Sequence, residues 1–186
     1  MKKFAETIPL KLTKINLFIL IVFLSSCSKS HDNGNLTYHC DMDDQIAWNR
    51  NPVSNIIAIS DAPSGRYVSE INEGSPYSVT LSMRLNQVSV KLLKKISVKA
   101  KVKISDIVAD PVLVIDIIDK DGVSLEWIPV GIKDKSDSIN KWQEISNGLD
   151  MSVNGRNNPD NSIKVYVSNG FKQSALVDDI EVIFEN

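Results

Sequence analysis

The sequence is poor in the residues on which catalytic and metal sites most often depend. It has 2 Cys and 2 His in 186 residues. A zinc cluster therefore lacks ligands, and a catalytic Ser-His-Asp arrangement would have to use His31 or His39, neither of which lies in a recognisable nucleophile motif. The 8 Gly and 7 Pro are too few for a low-complexity chain. We expect a globular domain without catalytic activity.

Long hydrophobic runs are also missing from the sequence, with one short exception near its start. Residues 17–24 are all apolar, but a helix that spans a bilayer needs about 20 such residues. Lys2, Lys3, Lys11 and Lys14 precede this run. A basic region followed by a short apolar run is typical of a secretory signal peptide.

The end of this run, Leu24-Ser25-Ser26-Cys27, resembles the lipobox of bacterial lipoproteins. The resemblance implies cleavage before Cys27 and acylation of its sulfur, and several acyl chains give lasting membrane attachment. The alternatives are a plain secretory peptide and a buried amino-terminal helix. We predict a signal peptide over residues 1–26, acylated Cys27 with a flexible tether over residues 27–36, and a lipid-anchored position at the outer membrane of a bacterial cell envelope. Cys40 then has no partner and is expected to be buried as a small hydrophobic residue.

Cleavage changes the charge balance of the chain. Residues 1–26 contain four Lys and one Glu, so their removal changes the formal net charge from −2 to −5. Nucleic-acid phosphates bind basic surfaces. We therefore expect no nucleic-acid binding.

Residues 37–186 are predicted to form one all-β domain. Apolar and polar residues alternate in short segments that are separated by Gly, Pro, Asn and Asp clusters. In residues 96–104, for example, Ile, Val and Ala alternate with Ser and Lys. About nine short strands indicate a β-sandwich or barrel, and a short helical turn is possible only in residues 87–95. The candidate strands are residues 55–60, 66–71, 77–85, 96–104, 112–118, 123–132, 142–145, 163–167 and 175–185.

The last candidate strand carries a chemical anomaly. Alternate side chains of a strand share a face, so Leu176, Asp178, Ile180, Val182 and Phe184 are expected on one face. That face is apolar except for Asp178. A carboxylate on a core face is costly unless it is paired or binds an ion. Asp178 is therefore expected either at the rim of the sheet or as a ligand for a cation.

The order of several motifs resembles that of galactose-binding-like jelly rolls, a fold that many carbohydrate-binding modules share. The likeness covers most of residues 38–186. It implies a jelly-roll β-sandwich of about eight to nine antiparallel strands, with Trp48 and Trp142 packed inside. The motifs are Cys40-Asp41-Met42-Asp43-Asp44 followed by Trp48, Ala62-Pro63-Ser64-Gly65-Arg66-Tyr67, Lys141-Trp142-Gln143-Glu144-Ile145, and Val177-Asp178-Asp179-Ile180-Glu181-Val182.

The same resemblance implies a structural calcium ion, because this family often holds one between its first and last strands. Carried over to this chain, the ligands are Asp43, a backbone carbonyl near Ser64 or Gly65, and Asp178. Calcium takes six to eight oxygen ligands and accepts backbone carbonyls. A bound ion would remove the cost of Asp178 on an apolar face. The alternative is an Asp178 that lies solvated at the sheet rim or caps a loop amide.

Aromatic residues, which commonly form the platforms of sugar-binding sites, make up only 6% of the chain. Trp127 shares the phase of Val123 and Leu125, which favours a core position. It nevertheless remains a candidate ligand-binding residue, together with Phe171. Further candidates are Tyr67, Tyr77 and Tyr166.

Two other features carry open alternatives. A basic cluster could bind an acidic polysaccharide or lipid headgroups, although a solvated strand face with lysines that block edge-to-edge association is preferred. Asp137-Ser138-Ile139 resembles a short acceptor for O-glycosylation found in some bacteria. The lysines of the basic cluster are Lys91, Lys94, Lys95, Lys99, Lys101 and Lys103.

These observations favour a membrane-anchored, non-catalytic binding module of the bacterial envelope, with a polysaccharide or another glycan as the expected ligand. The alternative is a structural or adhesive surface lipoprotein that binds other envelope proteins. A small hydrolase is the least favoured interpretation, because the sequence offers so few candidate catalytic groups.

Overall fold

The computed structural model describes residues 28–32, 34–43, 55–89, 91–153, 155–170 and 173–186. These residues contain eleven β-strands, one helix of a single turn and one 3-10 turn at Ser136–Ser138. None of the helical segments in this described part is long and apolar enough to cross a membrane. The elements are β1 (Ser28–Asp32), β2 (Asn35–Cys40), β3 (Ile56–Ala58), β4 (Tyr67–Ile71), β5 (Leu81–Arg84), α1 (Leu85–Val88), β6 (Lys95–Ile104), β7 (Pro111–Ile118), β8 (Ser124–Gly131), β9 (Gln143–Asp150), β10 (Ser162–Asn169) and β11 (Ala175–Glu185).

The strands form two antiparallel sheets that share one apolar core. In the seven-stranded sheet, β11 is central: β2 and β4 pair along one of its edges and β6 along the other. The four-stranded sheet has the order β5-β10-β7-β8. Buried Ile, Val and Leu side chains from both sheets meet in a single cluster. The prediction of an all-β jelly-roll sandwich is confirmed, with more strands than expected.

The additional strands lie at the amino-terminal end of the domain. The segment expected to be a flexible tether instead contains β1, which pairs with β2 in a hairpin from Ser28↔His39 to Asp32↔Asn35. An edge strand is held by backbone hydrogen bonds and needs no apolar stripe. The polar sequence of β1 therefore gave no strand signal. Residues 1–27 lie outside the described residues.

Cys40 ends β2 and lies fully buried in the core. It is disulfide-bonded, so the expectation that Cys40 has no partner is wrong. Its burial was predicted correctly, since cysteine is a small apolar residue.

The face assignment of β11 is only partly correct. Ile180, Val182 and Phe184 point into the core as predicted, but towards the start of the strand the core positions are Ala175 and Val177. A β-bulge between Asp178 and Glu181 shifts the register with β6. An extra residue in one strand reverses the alternation on one side of the bulge. Leu176 and Asp178, expected on the core face, therefore lie on the other face, where they are paired with Lys103 and Lys101 of β6.

Trp142 is not part of the core, contrary to the resemblance. It lies just before β9, half-buried, where its indole Nε1 donates a hydrogen bond to the Asp61 carbonyl at 2.8 Å. Lys103 Nζ lies 6.0 Å from the ring centroid. Trp142 therefore contacts the β3–β4 loop at the surface of the sandwich. Trp48 lies outside the described residues.

Candidate functional site

Asp178 is 0% exposed, so it does not lie at a solvated rim. Its Oδ2 accepts a hydrogen bond from the Ser64 amide at 3.2 Å. Its Oδ1 accepts one from the Asp179 amide at 2.8 Å. The expectation that this carboxylate caps a loop amide therefore describes part of its environment.

Asp43, which follows β2, contacts the same β3–β4 loop. Its Oδ2 accepts hydrogen bonds from the amides of Arg66 at 3.0 Å and Tyr67 at 3.4 Å. A Cβ atom added to Gly65 would lie 1.8 Å from this oxygen. Asp43 and Asp178 thus both contact the β3–β4 loop, through hydrogen bonds that its backbone amides donate.

Asp41, which sequence reasoning did not select, is a second buried acid in this region. Burial raises the pKa of Asp178 to about 7, two backbone amides oppose this shift, and the charges of Asp179 and Asp41 add to it. Burial also raises the pKa of Asp41. Backbone amides oppose both shifts, and the charge of His39 also opposes that of Asp41, so the desolvation cost of the two buried carboxylates is only partly compensated.

A cation would offset that cost, and the donor types suit calcium. Within the described ranges, however, no three side chains of His, Cys, Asp or Glu are grouped so that they could hold a metal by themselves. A calcium ion would therefore need backbone carbonyls, such as those of Ser64 or Gly65, in addition to the acids. The fit rests on the chemistry of Asp41 and Asp178.

Asp179 is the neighbour of Asp178 in β11, and both carboxylates contact Ser64. It accepts a hydrogen bond from Ser64 Oγ at 2.5 Å, and its carboxylate lies 2.9 Å from Lys101 Nζ and 3.6 Å from His39 Nε2. His39 is the main cause that holds the pKa of Asp179 well below its usual range, with Ser64 and Lys101 adding to the effect. The aspartate stands between the serine and the histidine. This order does not form a nucleophile–base pair, which requires serine and histidine in direct contact.

The outer face of the four-stranded sheet carries a different cluster, which we call the aromatic face. It consists of Trp127 on β8, Tyr166 on β10 and Tyr77, which pairs with Ser168 just before β5. Trp127 is 53% exposed and Tyr77 is 55% exposed. Trp127 Nε1 donates a hydrogen bond to the Tyr166 hydroxyl at 3.2 Å. The rings of Tyr77 and Tyr166 meet edge to face, with centroids 5.5 Å apart.

Side chains alternate between the two faces along β10 and β7, which explains why this cluster points away from the core. Ile163, Val165 and Val167 are core residues of β10, so Tyr166 projects to the other side. The register places Tyr166 beside Val114 of β7. Val114 faces outward yet is 0% exposed, which shows that the aromatic layer covers it.

Two cavities lie on this face. The polar pocket, of about 310 Å³, is lined by Tyr77, Thr80, Asp116, Lys164 and Tyr166. The apolar pocket, of about 410 Å³, is lined by Val108, Asp110, Val112, Trp127, Ser168, Asn169 and Gly170. The Trp127–Tyr166 hydrogen bond connects the walls of the two pockets.

The structure therefore decides between the alternatives for the position of Trp127. Its phase does match Val123 and Leu125, but all three side chains are exposed, so the core interpretation is wrong. Phe171 lies outside the described residues, although the preceding Gly170 lines the same pocket as Trp127. Sequence reasoning missed Asp116 and Lys164, whose only signal was their alternation with apolar neighbours.

The basic cluster is largely neutralised by acids on the same sheet. Lys99 lies 3.0 Å from Glu181, Lys103 lies 2.6 Å from Asp61, and Lys101 is paired with Asp179. These pairs support the preferred interpretation of a solvated strand face. Ser138 is buried, and its hydroxyl donates a hydrogen bond to the Asp134 carbonyl, so it is not presented as an acceptor for glycosylation.

Comparison with known proteins finds no matching family model and no matching curated protein. The CBM22-1 xylan-binding domain of Xyn10C from Paenibacillus barcinonensis is 16% identical, with a TM-score of 0.45 over 69% of this chain and 78% of that one. The CBM22-1 and GH10 modules of xylanase 10B from Clostridium thermocellum, complexed with xylohexaose, are 13% identical with a TM-score of 0.46, over 70% of this chain and 24% of that one. A cyclase from Fischerella sp. TAU is 14% identical with a TM-score of 0.43, over 85% of this chain and 87% of that one. Binding modules and an enzyme thus occur together among these remote likenesses.

Proposed function

We propose that this protein is a non-catalytic carbohydrate-binding module whose ligand lies on the aromatic face. The observation that carries the proposal is the exposed Trp127, fixed by its hydrogen bond to Tyr166. Sugar rings present C–H groups that pack on such aromatic surfaces, while neighbouring polar groups bind the hydroxyls. Lys164 and Asp116 provide those polar groups beside the tyrosines.

A glycan array on the purified protein, followed by titration calorimetry on the best ligand, tests this proposal. Trp127→Ala is expected to weaken binding by about five- to twelvefold, since an aromatic contact contributes about 1 to 1.5 kcal/mol. Leu92→Ala is the matched control, because Leu92 is 74% exposed and lines neither pocket. The proposal fails if no glycan binds. Capture of an envelope protein without any glycan signal would favour the adhesive alternative.

A structural calcium ion is the second part of the proposal. Asp178 and Asp43, with carbonyls of Ser64 or Gly65, would hold it, and buried Asp41 supplies further negative charge. When bound, the ion would neutralise acids that are otherwise buried at a cost. Calcium is expected to raise the melting temperature of the wild type but not of Asp178→Asn. An equal response of both proteins, or no response of the wild type, would rule out this site.

Lipid attachment at Cys27 is the third part, and it gives the domain a place at the bacterial outer membrane. Acylation uses the sulfur of Cys27 in a thioether. Because the chain has 2 Cys, the disulfide of Cys40 and the thioether of Cys27 are alternative states of the same sulfur, and acylation would replace the disulfide. The intact mass of the mature protein, measured with and without reductant, distinguishes the two states. A lipid-anchored protein leaves the membrane fraction on Cys27→Ala.

A further inference from the structure

The two pockets of the aromatic face differ in how their polar groups are used. In the apolar pocket, Asp110 is paired with Lys135 Nζ at 2.5 Å. Asn169 Oδ1 accepts a hydrogen bond from the Asp110 amide at 3.0 Å, and its Nδ2 donates to the Gln173 carbonyl at 2.5 Å. These polar groups already have protein partners. The surface that remains for a ligand is therefore mainly that of Val108, Val112 and Trp127.

The polar pocket, in contrast, has charged and hydroxyl groups that can still bind a ligand. Among the described residues, Lys164 takes part in no ion pair. Asp116 Oδ1 accepts a hydrogen bond from Ser124 at 2.6 Å, and its carboxylate lines the pocket. The Tyr166 hydroxyl accepts from Trp127 and keeps its own proton for donation, because burial raises the pKa of this phenol.

The exposed apolar residues beside Trp127 also need an explanation. Val108 is 56% exposed and belongs to the loop between β6 and β7. Exposed apolar surface that borders a cavity commonly marks a ligand groove. Hydroxyl-rich sugar edges gain little from such a surface, whereas a methyl group gains about 0.8 kcal/mol by burial there.

The two pockets adjoin where Trp127 is hydrogen-bonded to Tyr166 and paired with Asp116, but their far ends are too distant for one sugar ring to contact both. Asp116 lines the polar pocket and Val112 lines the apolar pocket, both on β7. Four residues of a strand span about 13 Å. A ligand that contacts both Asp116 and Val112 must therefore lie along β7 and β10 and contain more than one sugar.

Building on the proposed carbohydrate function, we propose that the ligand is an oligosaccharide with a methyl-bearing substituent. The substituent, either the methyl group of a 6-deoxy sugar or an acetyl group, occupies the apolar pocket. Hydroxyls of a neighbouring sugar bind Asp116, Lys164 and Tyr166 in the polar pocket. The site would thus select decorated glycans over their undecorated counterparts.

The test measures binding of matched glycan pairs that differ only in the methyl-bearing group. One pair is acetylated xylo-oligosaccharide and the same preparation after alkaline deacetylation. The other is a trisaccharide that ends in L-fucose and its L-galactose counterpart. We expect the methyl-free member of at least one pair to bind at least about fourfold more weakly, the factor that corresponds to one buried methyl group. The pair that responds identifies the substituent.

Two single substitutions make the test specific. Val108→Ser places a hydroxyl in the apolar pocket and is expected to abolish the preference while the methyl-free ligand still binds. Ile107→Ser is the matched control, because Ile107 is equally exposed but does not line the pocket. Equal affinity within both pairs overturns the proposed substituent while carbohydrate binding stands. Absence of binding to every probe and to the wider array overturns the carbohydrate function itself.

Discussion

At the scale of single residues, Gly65 is the tightest point of the β3–β4 loop. Its φ of +55° lies in the left-handed region, and an added Cβ would lie 1.8 Å from Asp43 Oδ2. The absence of a side chain lets the Asp43 carboxylate reach the amides of Arg66 and Tyr67. Gly65 therefore combines two requirements, backbone conformation and close approach.

Gly65→Ala is expected to destabilise the fold by about 2 to 4 kcal/mol, because the strained backbone costs about 1 to 2 kcal/mol and the clash with Asp43 adds to it. Gly122→Ala separates the cost of the backbone conformation from the cost of the clash with Asp43. Gly122 also has a positive φ, of +87°, but nothing lies within 4 Å of its added Cβ. Urea unfolding should show a clearly larger loss for Gly65→Ala. Equal losses for the two variants would contradict the role of the Asp43 contact.

At the scale of elements, the bulge in β11 determines which side chains reach the core. Asp179 adopts a φ of +48° at this bulge, a conformation that Asn and Asp tolerate better than other side chains with a Cβ. Asp178 lies opposite outward-facing Lys101 in the register, and both Asp178 and Asp179 accept hydrogen bonds from Ser64 of the β3–β4 loop. Asp179 also contacts Lys101 and His39. The irregular step thus places two adjacent carboxylates against the same loop.

Substitutions of Asp179 can distinguish the backbone requirement from the charge. Asp179→Asn and Asp179→Val both remove the carboxylate, but only asparagine tolerates the positive φ. We expect Asp179→Val to lower the free energy of unfolding by about 1 to 2 kcal/mol more than Asp179→Asn does. Denaturant melts of the two variants measure this difference. If they are equally stable, the bulge does not depend on the residue at position 179.

At the scale of the whole molecule, the stability of the sandwich is expected to fall as the pH rises from about 5 to 8 in the presence of a chelator. Burial raises the pKa of Asp178 to about 7, so the folded state holds its proton where the unfolded chain has lost it. Burial raises the pKa of Asp41, and neighbouring Asp179 raises that of His39. All three groups bind protons more tightly when folded, so each loses stabilisation with rising pH. The lowered pKa of Asp179 affects stability only below about pH 4, so it does not alter the expected decline between pH 5 and pH 8.

Thermal melts in EDTA at several pH values measure this dependence. The wild type should have its highest melting temperature near pH 5. The melting temperature of Asp178→Asn should decline less towards pH 8, because this substitution removes the group with the largest pKa shift. Asp179, which faces the same region, keeps its charge throughout this range, because neighbouring His39 holds its pKa well below the usual value. A melting temperature that is constant or rises towards pH 8 would show that Asp178 is not held protonated by burial.

The sequence was sufficient to predict the fold class and the positions of most strands along the chain, since segments such as residues 96–104 and 175–185 alternate clearly. The bounds predicted for β11 match the structure. The face predicted for Leu176 was wrong, because the position of a β-bulge cannot be read from a pattern of apolar and polar residues. The aromatic face could not be predicted either. Trp127 and Tyr166 lie on strands that do not pair with each other, and they meet only because β7 stands between β8 and β10.

The central position of β11 also bears on how the chain assembles. Ile180 pairs with Cys40, so the seven-stranded sheet joins residues that are separated by most of the domain. Bringing such distant segments together is slow, because the loop entropy is lost before the contacts form. A chain that emerges residue by residue exposes β2, β4 and β6 without their common partner until residues 175–185 appear. The native pairing of these three strands with β11 therefore forms only after residues 175–185 are present, which makes the seven-stranded sheet the late-forming part of the sandwich.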